Sequence, residues 1–403
     1  MYESSFIVGT MFRRRIIFAD NDFTLSWPTG NLSTEELKKI EAGFKAMPEK
    51  YCLTDKQRVF FREFLKEGVL VILSGASIQQ LEKRLVDLIE ARLRYKIIAC
   101  PVSGGEGYIY TSVRTSKPIH SAQQRRQVWS YSKELLTASQ RKAWSSVVDE
   151  IAEILRFSRE KVKIKGIMIC LPEVRVDRRG HPLAQITIEA DSRNELLRKK
   201  RISKDELYKM ALKSLKGLKR QGEVISLKKF IFRPSDFQFQ EKIDIRGAAK
   251  KYLNELFRKS ELVSPRARFV SYLSGTGSLD TQIWDKKRKR VCGKETAIRR
   301  VRKLRIIERI LKCELDGRMI EVWGDDFGLE LEGKVISRSD WGMVEGLKGI
   351  KNYEKLKVTS FRDRPFPPNR CQTQVFLTEG KEGPPACEAY MSALGRIKSF
   401  NAI

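Results

Sequence analysis

The stretch LPEVRVDRRGHPLAQITIEADSRN, residues 171–194, sets the fold reading. In its second half Ala184, Ile186, Ile188 and Ala190 alternate with Gln185, Thr187, Glu189 and Asp191. Period two marks a strand with one buried face. The strand ends on a carboxylate, Asp191, and runs at once into Arg198, Lys199, Lys200 and Arg201. Asp191 could serve as a catalytic acid, a metal ligand or a structural residue that orders the turn into a basic helix; the last role is taken here. The helix is expected over roughly 194–219, with ten basic and three acidic residues between 194 and 220. A further strand, EVISLKKFIFRP, is expected at 223–234.

Charge widens the reading to the whole chain. It has 79 Lys plus Arg against 50 Asp plus Glu, a net charge of +29. A small domain needs only about 2–8 charges for solubility, and an excess of one sign repels itself unless a polyanion neutralises it. Nucleic acid is the first partner this suggests, RNA ahead of DNA, and an anionic membrane surface the second. At 403 residues the chain has room for two or three domains, taking about 150 residues for each. The seven cysteines include no C-x-x-C pair, and His120 and His181 have no partner at metal-ligand spacing. That argues for a reducing intracellular compartment, the cytoplasm, and against disulfides or zinc. The longest apolar runs, GVLVIL (68–73) and GIMICL (166–171), are strand-sized, far short of the roughly 20 residues that span a bilayer. The first residues, MYESSFIVGTMFRRRIIF, lack the order of a signal peptide.

The periodicities divide the chain into three. Residues 1–160 read as mainly helical. Ser33 with Glu36, Thr54 with Gln57 and Ser77 with Gln80 have the capping-box spacing. Strands are expected at VLVIL (69–73), KIIAC (96–100) and within SGGEGYIYTSV (103–113), and a helical pattern covers 121–157. Residues 161–284 read as a β-rich core with one basic helix. KVKIKGIMICLP is one strand bulged at Gly166, and ARFVSYL (267–273) and TQIW (281–284) are later strands. Residues 285–403 open on a basic helix, because 286–312 hold thirteen Lys and Arg, two Glu, and Ile298, Val301, Leu304, Ile307 and Leu311 at helical spacing. Short strands follow at RMIEVW (318–323), LELEGKVI (329–336) and QTQVFL (372–377). The fold class is α+β: a helical N-terminal region, a central β-rich domain, then a basic helix with a small β region.

Enzyme signatures are sparse. There is no G-x-x-x-x-G-K-[ST], H-E-x-x-H or G-x-S-x-G. SGTGS (274–278) reads as a glycine turn between strands. GDD (324–326) follows a strand, and paired aspartates in that setting hold metal ions for in-line displacement. With no aspartate strand upstream to match, Asp325 and Asp326 read as hairpin-turn residues, and no metal or cofactor is expected. Trp284 and Trp323 read as core. The candidate nucleic-acid contacts are Arg198, Lys199, Lys200 and Arg201, with Lys286, Lys287, Arg288, Lys289, Arg290, Arg299, Arg300, Arg302, Lys303 and Arg305. KKRKR also fits a nuclear-import tag.

The order of elements around Asp191 resembles the core of the thirty-kilodalton superfamily of plant-virus movement proteins. Gly166, Leu171, Pro172, Arg179, Gly180, Asp191, Arg193 and Pro234 carry the likeness, over about residues 161–235. The resemblance implies a jelly-roll-like β core, binding of single-stranded nucleic acid without sequence preference, and a non-catalytic aspartate. The expectation is therefore a non-enzymatic, charge-driven, RNA-favouring binder. Three alternatives share its features: a self-assembling viral nucleocapsid or coat protein, a subunit of a large ribonucleoprotein, and a metal-dependent nucleic-acid enzyme using Asp191 with Asp325 or Asp326.

Overall fold

Short runs that are apolar throughout, without alternation, are what a parallel sheet covered on both faces requires. The chain has three such runs near its start. They form β1 (Ile16–Asp20), β2 (Val69–Leu73) and β3 (Ile97–Cys100), each buried at every position. The computed structural model describes residues 14–29, 34–113, 119–143, 161–164, 167–170, 173–179, 185–191, 265–274, 278–331 and 333–400. Onward in the chain come β4 (Glu106–Tyr110), β5 (Arg125–Ser130), β6 (Lys161–Ile164), β7 (Ile167–Cys170), β8 (Glu173–Arg179) and β9 (Gln185–Asp191). Then follow β10 (Ala267–Ser274), β11 (Ser278–Asp285), β12 (Arg290–Val291), β13 (Ile320–Gly324), β14 (Gly328–Leu331), β15 (Lys334–Ser337), β16 (Lys357–Ser360) and β17 (Gln372–Val375). These elements fall into two compact units, residues 1–130 with 292–403, and residues 131–291.

The first unit is built on an eight-stranded sheet in the order β17-β16-β13-β1-β2-β3-β4-β5. From β17 to β3 every neighbouring pair is parallel, and β4 and β5 are added antiparallel. From β1 the chain order moves outward one way through β2 and β3, and from β13 the other way through β16 and β17. The seam between β1 and β13 is a topological switch point, where ligands of open α/β sheets bind beyond the carboxyl ends of the strands.

Capping fixes the helices on this sheet. Thr54 accepts from the Gln57 amide while Gln57 returns a bond to Thr54 N, which starts the helix Asp55–Glu67 as expected. Ser77 caps the helix Ile78–Arg84. Phe60, Phe61 and Phe64 of the first helix join Ile17 and Ala19 of β1, Leu70 and Ile72 of β2, Trp323 of β13 and Tyr390 of the helix Pro384–Phe400 in one core. Trp323 is fully buried, with its ring centroid 6.0 Å from Phe60, 5.9 Å from Phe361 and 5.8 Å from Tyr390. Segments more than 250 residues apart thus share one core.

Several expectations need correcting. The N-terminal region is not mainly helical, since it supplies five strands of the large sheet. RRQVWS (125–130) is strand, because Trp129 lies where a Cβ on Gly107 of β4 would come within 2.3 Å of its ring. That close fit decides the backbone over the helical spacing of Trp129 with Leu136. KVKIKGIMIC is the hairpin β6–β7, with Ile164 opposite Ile167, and Gly166 lies outside the described residues. LELEGKVI folds back as β14–β15 around Gly333, whose φ of +72° suits glycine. The run 286–312 is not one helix. Lys286–Lys289 form the turn from β11 to β12, and helices Lys294–Val301 and Arg305–Leu311 are separated by extended backbone at Leu304.

In the second unit the alternating strand lies at 185–191 as read, with Asp191 paired to Glu173 of β8. Its sheet runs β10-β11-β9-β8, all antiparallel, with β12 added on β11. A jelly roll packs two antiparallel sheets of Greek-key connectivity. Among the described residues neither this sheet with the separate β6–β7 pair nor the mixed parallel sheet of the first unit is one, so the α+β class holds and the jelly-roll expectation does not. Among the described residues no helix is long and apolar enough to cross a membrane.

Phe61 is fully buried in the core that joins the two ends of the chain. Phe61→Ala should therefore cost about 3–5 kcal/mol in chemical denaturation, with residues 14–130 and 292–400 unfolding in one transition. A loss under about 1 kcal/mol would show that this core does not hold the sheet together.

Candidate active site

Three strand ends and a pair of helices converge at the carboxyl ends of the central strands. β1 ends on Asp20 and passes into Asn21-Asp22-Phe23-Thr24; β2 is followed by Ser74; β13 ends on Gly324 and passes into Asp325-Asp326. The pair of helices is Lys294–Val301 and Trp341–Gly346, which start side by side. A Cβ on Gly346 would come 2.6 Å from the Ile298 Cβ, and one on Gly342 would come 3.2 Å from the Glu295 amide nitrogen. Glycine at both positions lets the helices approach, which sets Lys294 beside Asp340.

Lys294 is the centre of the arrangement. Its Nζ donates to Asp20 Oδ1 at 2.6 Å and to Asp340 Oδ1 at 2.6 Å. The other oxygen of Asp340, Oδ2, accepts from the amides of Asp325 and Asp326, both at 2.9 Å. Gly324 is required for this approach, since a Cβ there would come 2.4 Å from Asp340 Oδ2. Asp326 is paired to Arg338 at 3.2 Å, and Asp325 to Arg362 at 3.5 Å.

The loop after β1 is tied from below. Asn21 N donates to Leu73 O, and Leu25 N and Ser26 N both donate to Asn21 O. Buried Arg84 holds the loop's far side through Asp22 Oδ1 at 2.6 Å, Ser26 Oγ at 2.7 Å and Trp27 O at 2.8 Å. Ser74 Oγ reaches Asp22 Oδ2 at 3.5 Å. Asp22 therefore stands in a fixed pose beside Asp20.

The electrostatics follow from burial and like charge. Burial pushes the Asp20 carboxyl up to about 8, with the charges of Asp340 and Asp22 adding to the rise and Lys294 opposing it. Burial, then the charges of Asp340, Asp20 and Asp326, hold Asp325 well above the usual carboxylate range. Asp340 goes the other way. Burial works against its ionised form, but Lys294 and the two amides outweigh it and lower the pKa. Burial also works against the Lys294 charge, and its two carboxylates more than restore it. The ionised partners are thus Lys294 and Asp340, and Asp20 and Asp325 are short of positive charge.

One oxygen each of Asp20, Asp325 and Asp340 lies within 4.8 Å of the others, a spacing that suits a single cation. Asp340 is already committed to Lys294 and the amides. Asp20 and the Asp325 carboxylate are the groups left for a metal. A hard divalent ion such as Mg²⁺ binds through one or two carboxylates and keeps its remaining positions for water and substrate phosphate. The donor set fits.

The residues expected from the sequence are placed differently. Arg198, Lys199, Lys200 and Arg201 lie outside the described residues, as do the strand at 223–234 and the helix around 194–219. Lys287, Arg288 and Lys289 are exposed on the β11–β12 turn, between the half-buried Lys286 and Arg290, where Arg288 pairs with Asp285 at 3.1 Å. Arg299 bonds Glu295 of its own helix at 3.0 Å and donates to Glu345 O at 3.5 Å, and Arg302 donates to Gly346 O and Lys348 O. Both therefore bind helix to helix. Arg300 is half-buried on the same helix, and Lys303 and Arg305 are exposed. Asp191 belongs to the second unit; Asp325 instead joins Asp20 and Asp340 in the first. The sequence reading passed over Asp20, Asp22, Ser74, Arg84, Lys294 and Asp340. The available signal was D-N-D-F-T directly after a fully apolar run, with Ser74 directly after a second.

No protein-family model matches the chain, and no curated protein matches it. Among solved structures it is similar to an IMP-bound mutant of the Plasmodium falciparum IMP-nucleotidase, at 10% identity and a TM-score of 0.40, covering 97% of this chain and 69% of that one. It is also similar to a trehalose-6-phosphate phosphatase related protein, at 11% identity and a TM-score of 0.39, covering 96% and 97% of the two chains. A Thermotoga maritima protein matches at 12% identity and a TM-score of 0.39, covering 95% and 97%. Their TM-scores are below 0.5, so the chemistry is argued from the side chains.

The expectation of a non-enzymatic RNA binder, whether movement, nucleocapsid or coat protein, is corrected. The switch point carries a buried acidic centre where a polyanion-binding groove would carry cations. Of the readings made from sequence, the metal-dependent nucleic-acid enzyme using Asp191 with Asp325 or Asp326 stands nearest, and it shares Asp325 alone with this site.

Asp20 yields a pH test. Unfolded, its pKa is about 3.9; folded, burial raises it to about 8. A raised carboxyl contributes stability that is complete below the unfolded value and is lost as pH rises through the folded one. In metal-free protein, urea midpoints of Asp20→Asn relative to wild type should therefore climb between about pH 5 and about pH 8.5. A wild-type advantage that grows over that range would contradict the assignment.

Proposed function

We propose that the chain is a HAD-like hydrolase of phosphate monoesters, with Asp20 as nucleophile and Asp22 as general acid–base. The observation that carries the reading is the Lys294 bridge: Nζ at 2.6 Å from both Asp20 and Asp340, in the crevice beyond β1 and β13. A carboxylate can attack phosphorus and split one displacement into two easier ones. Asp20 is suited to this, because Lys294 holds one oxygen and Asp20 Oδ2 makes no hydrogen bond among the described residues.

In the first step Asp20 Oδ2 forms a bond to phosphorus and the bond to the leaving oxygen breaks. Asp22, entering protonated, gives its proton to that oxygen. In the second step water attacks the aspartyl phosphate, Asp22 takes the water's proton, and the bond from phosphorus to Asp20 breaks. Phosphoryl transfer has little covalent work for the protein beyond this, so positioning and charge dominate. Arg84 keeps Asp22 in place through Oδ1, which leaves Oδ2 toward Ser74 and the crevice. Lys294 and the Ser74 hydroxyl are the donors for the phosphoryl oxygens. Asp20 and Asp325 would hold the divalent ion, which supplies further neutralisation of those oxygens. The net charge of +29 draws anionic esters toward the protein.

With Mg²⁺ present, the purified chain should release inorganic phosphate from p-nitrophenyl phosphate, and chelation should stop it. Asp20→Asn should lower kcat by at least about a thousandfold, and Asp22→Asn by about 10²–10⁴, each with unchanged circular dichroism. A wild-type chain that frees no phosphate from any monoester would overturn the reading.

A further inference from the structure

The loop after β1 carries two aromatic rings that the chemistry above does not use. Phe23 directly follows Asp22, and Trp27 closes the same loop. Each is 40% exposed, whereas Trp323 and Phe361 are fully buried. The two rings stand nearly perpendicular, 86° apart with centroids at 6.0 Å. Phe23 has a φ of +58°, a conformation that a bulky side chain adopts only when its surroundings impose it. Here the surroundings are Arg84, which fixes Asp22, Ser26 and Trp27 together, and the Phe23 amide bonded to Ser26 O. The loop thus holds two partly exposed rings outside the core, close in sequence to the nucleophile.

Arg362 connects these rings to the acidic centre. Its guanidinium carbon lies 5.8 Å from the Phe23 ring centroid, and its Nη1 lies 3.5 Å from Asp325 Oδ2. The same side chain touches a carboxylate of the phosphate site and an exposed ring. Arg362 thus places the Phe23 ring next to the residues proposed to receive the phosphate.

We infer that Phe23 and Trp27 form a subsite for a planar aromatic ring on the leaving group, which makes the substrate a ring-bearing monoester such as a nucleoside monophosphate. The inference rests on the hydrolase reading for the placement of the phosphate. Rigid rings fixed in advance lose little freedom on stacking, and a heterocyclic base can lie flat on one of them and meet the other at its edge. A sugar phosphate without a base would meet the same phosphate donors and leave both rings in water.

Calorimetry on the Asp20→Asn chain with Mg²⁺ tests this, using adenosine monophosphate and ribose 5-phosphate as probes. Adenosine monophosphate should bind more tightly by roughly 5- to 150-fold, the range expected for one stacked base. Adding Phe23→Ala and Trp27→Ala should erase that difference and leave ribose 5-phosphate binding unchanged. Phe23→Leu with Trp27→Leu, which keeps apolar bulk without a flat face, should give the same result and guards against a local collapse. Equal binding of the two probes by the parent, binding of neither, or a preference that survives both double variants would overturn the subsite. The hydrolase reading fails separately: a base preference that depends on the rings, in a wild-type chain that hydrolyses no monoester, would keep the subsite and remove the reaction.

Discussion

The structure of the site depends on one buried ammonium shared by two carboxylates. A charged lysine out of water is costly unless its partners are close and well aligned, and removing one partner of such a set typically costs several kcal/mol. Lys294 meets that condition through Asp20 and Asp340 at 2.6 Å each. Each partner then commits a further piece of chain. Asp340 uses its second oxygen to fix the amides of Asp325 and Asp326, which requires Gly324 at the end of β13. Asp20 terminates β1, whose burial on both faces leaves it no other route to solvation. The bridge therefore ties the two strands at the switch point to two helix starts, and it leaves Asp20 and Asp325 as the groups short of a cation.

Much of the secondary structure was legible because its signals are local. Thr54 and Gln57 are three residues apart and cap each other, so the helix start could be read directly. VLVIL and KIIAC announced themselves by composition. IIFAD did not, because five residues after a run of arginines offer neither length nor alternation. The helix expected through 286–312 failed at Leu304, where apolar spacing continues but the backbone does not. Periodicity records which side chains are buried, and two short helices can bury the same stripe as one long one.

The site was legible only in fragments. Asp325 and Asp326 stood out as a pair, and the search for their partner looked for a second aspartate strand nearby. The partner is Asp20, about three hundred positions earlier, in a part of the chain read only for targeting signals. Lys294 was hidden inside a basic run, where its neighbours suggested a surface role. What distinguishes it is burial, a property of the assembled sheet. Net charge also misdirected the reading: +29 is a sum over the chain, and it says nothing of a few carboxylates concentrated at one point. Arg299 and Arg302 add to that sum while bonding helix to helix.

The central claim is that Asp20 carries the phosphoryl group in transit. Rapid acid quenching during turnover of a phosphate monoester, followed by peptide mass spectrometry, observes this directly. The account predicts one phosphoryl group on the peptide containing Asp20, labile to hydroxylamine as an acyl phosphate is, and absent in Asp20→Asn. Turnover with no phosphorylated Asp20 peptide, or with the phosphoryl group on another residue, would contradict it.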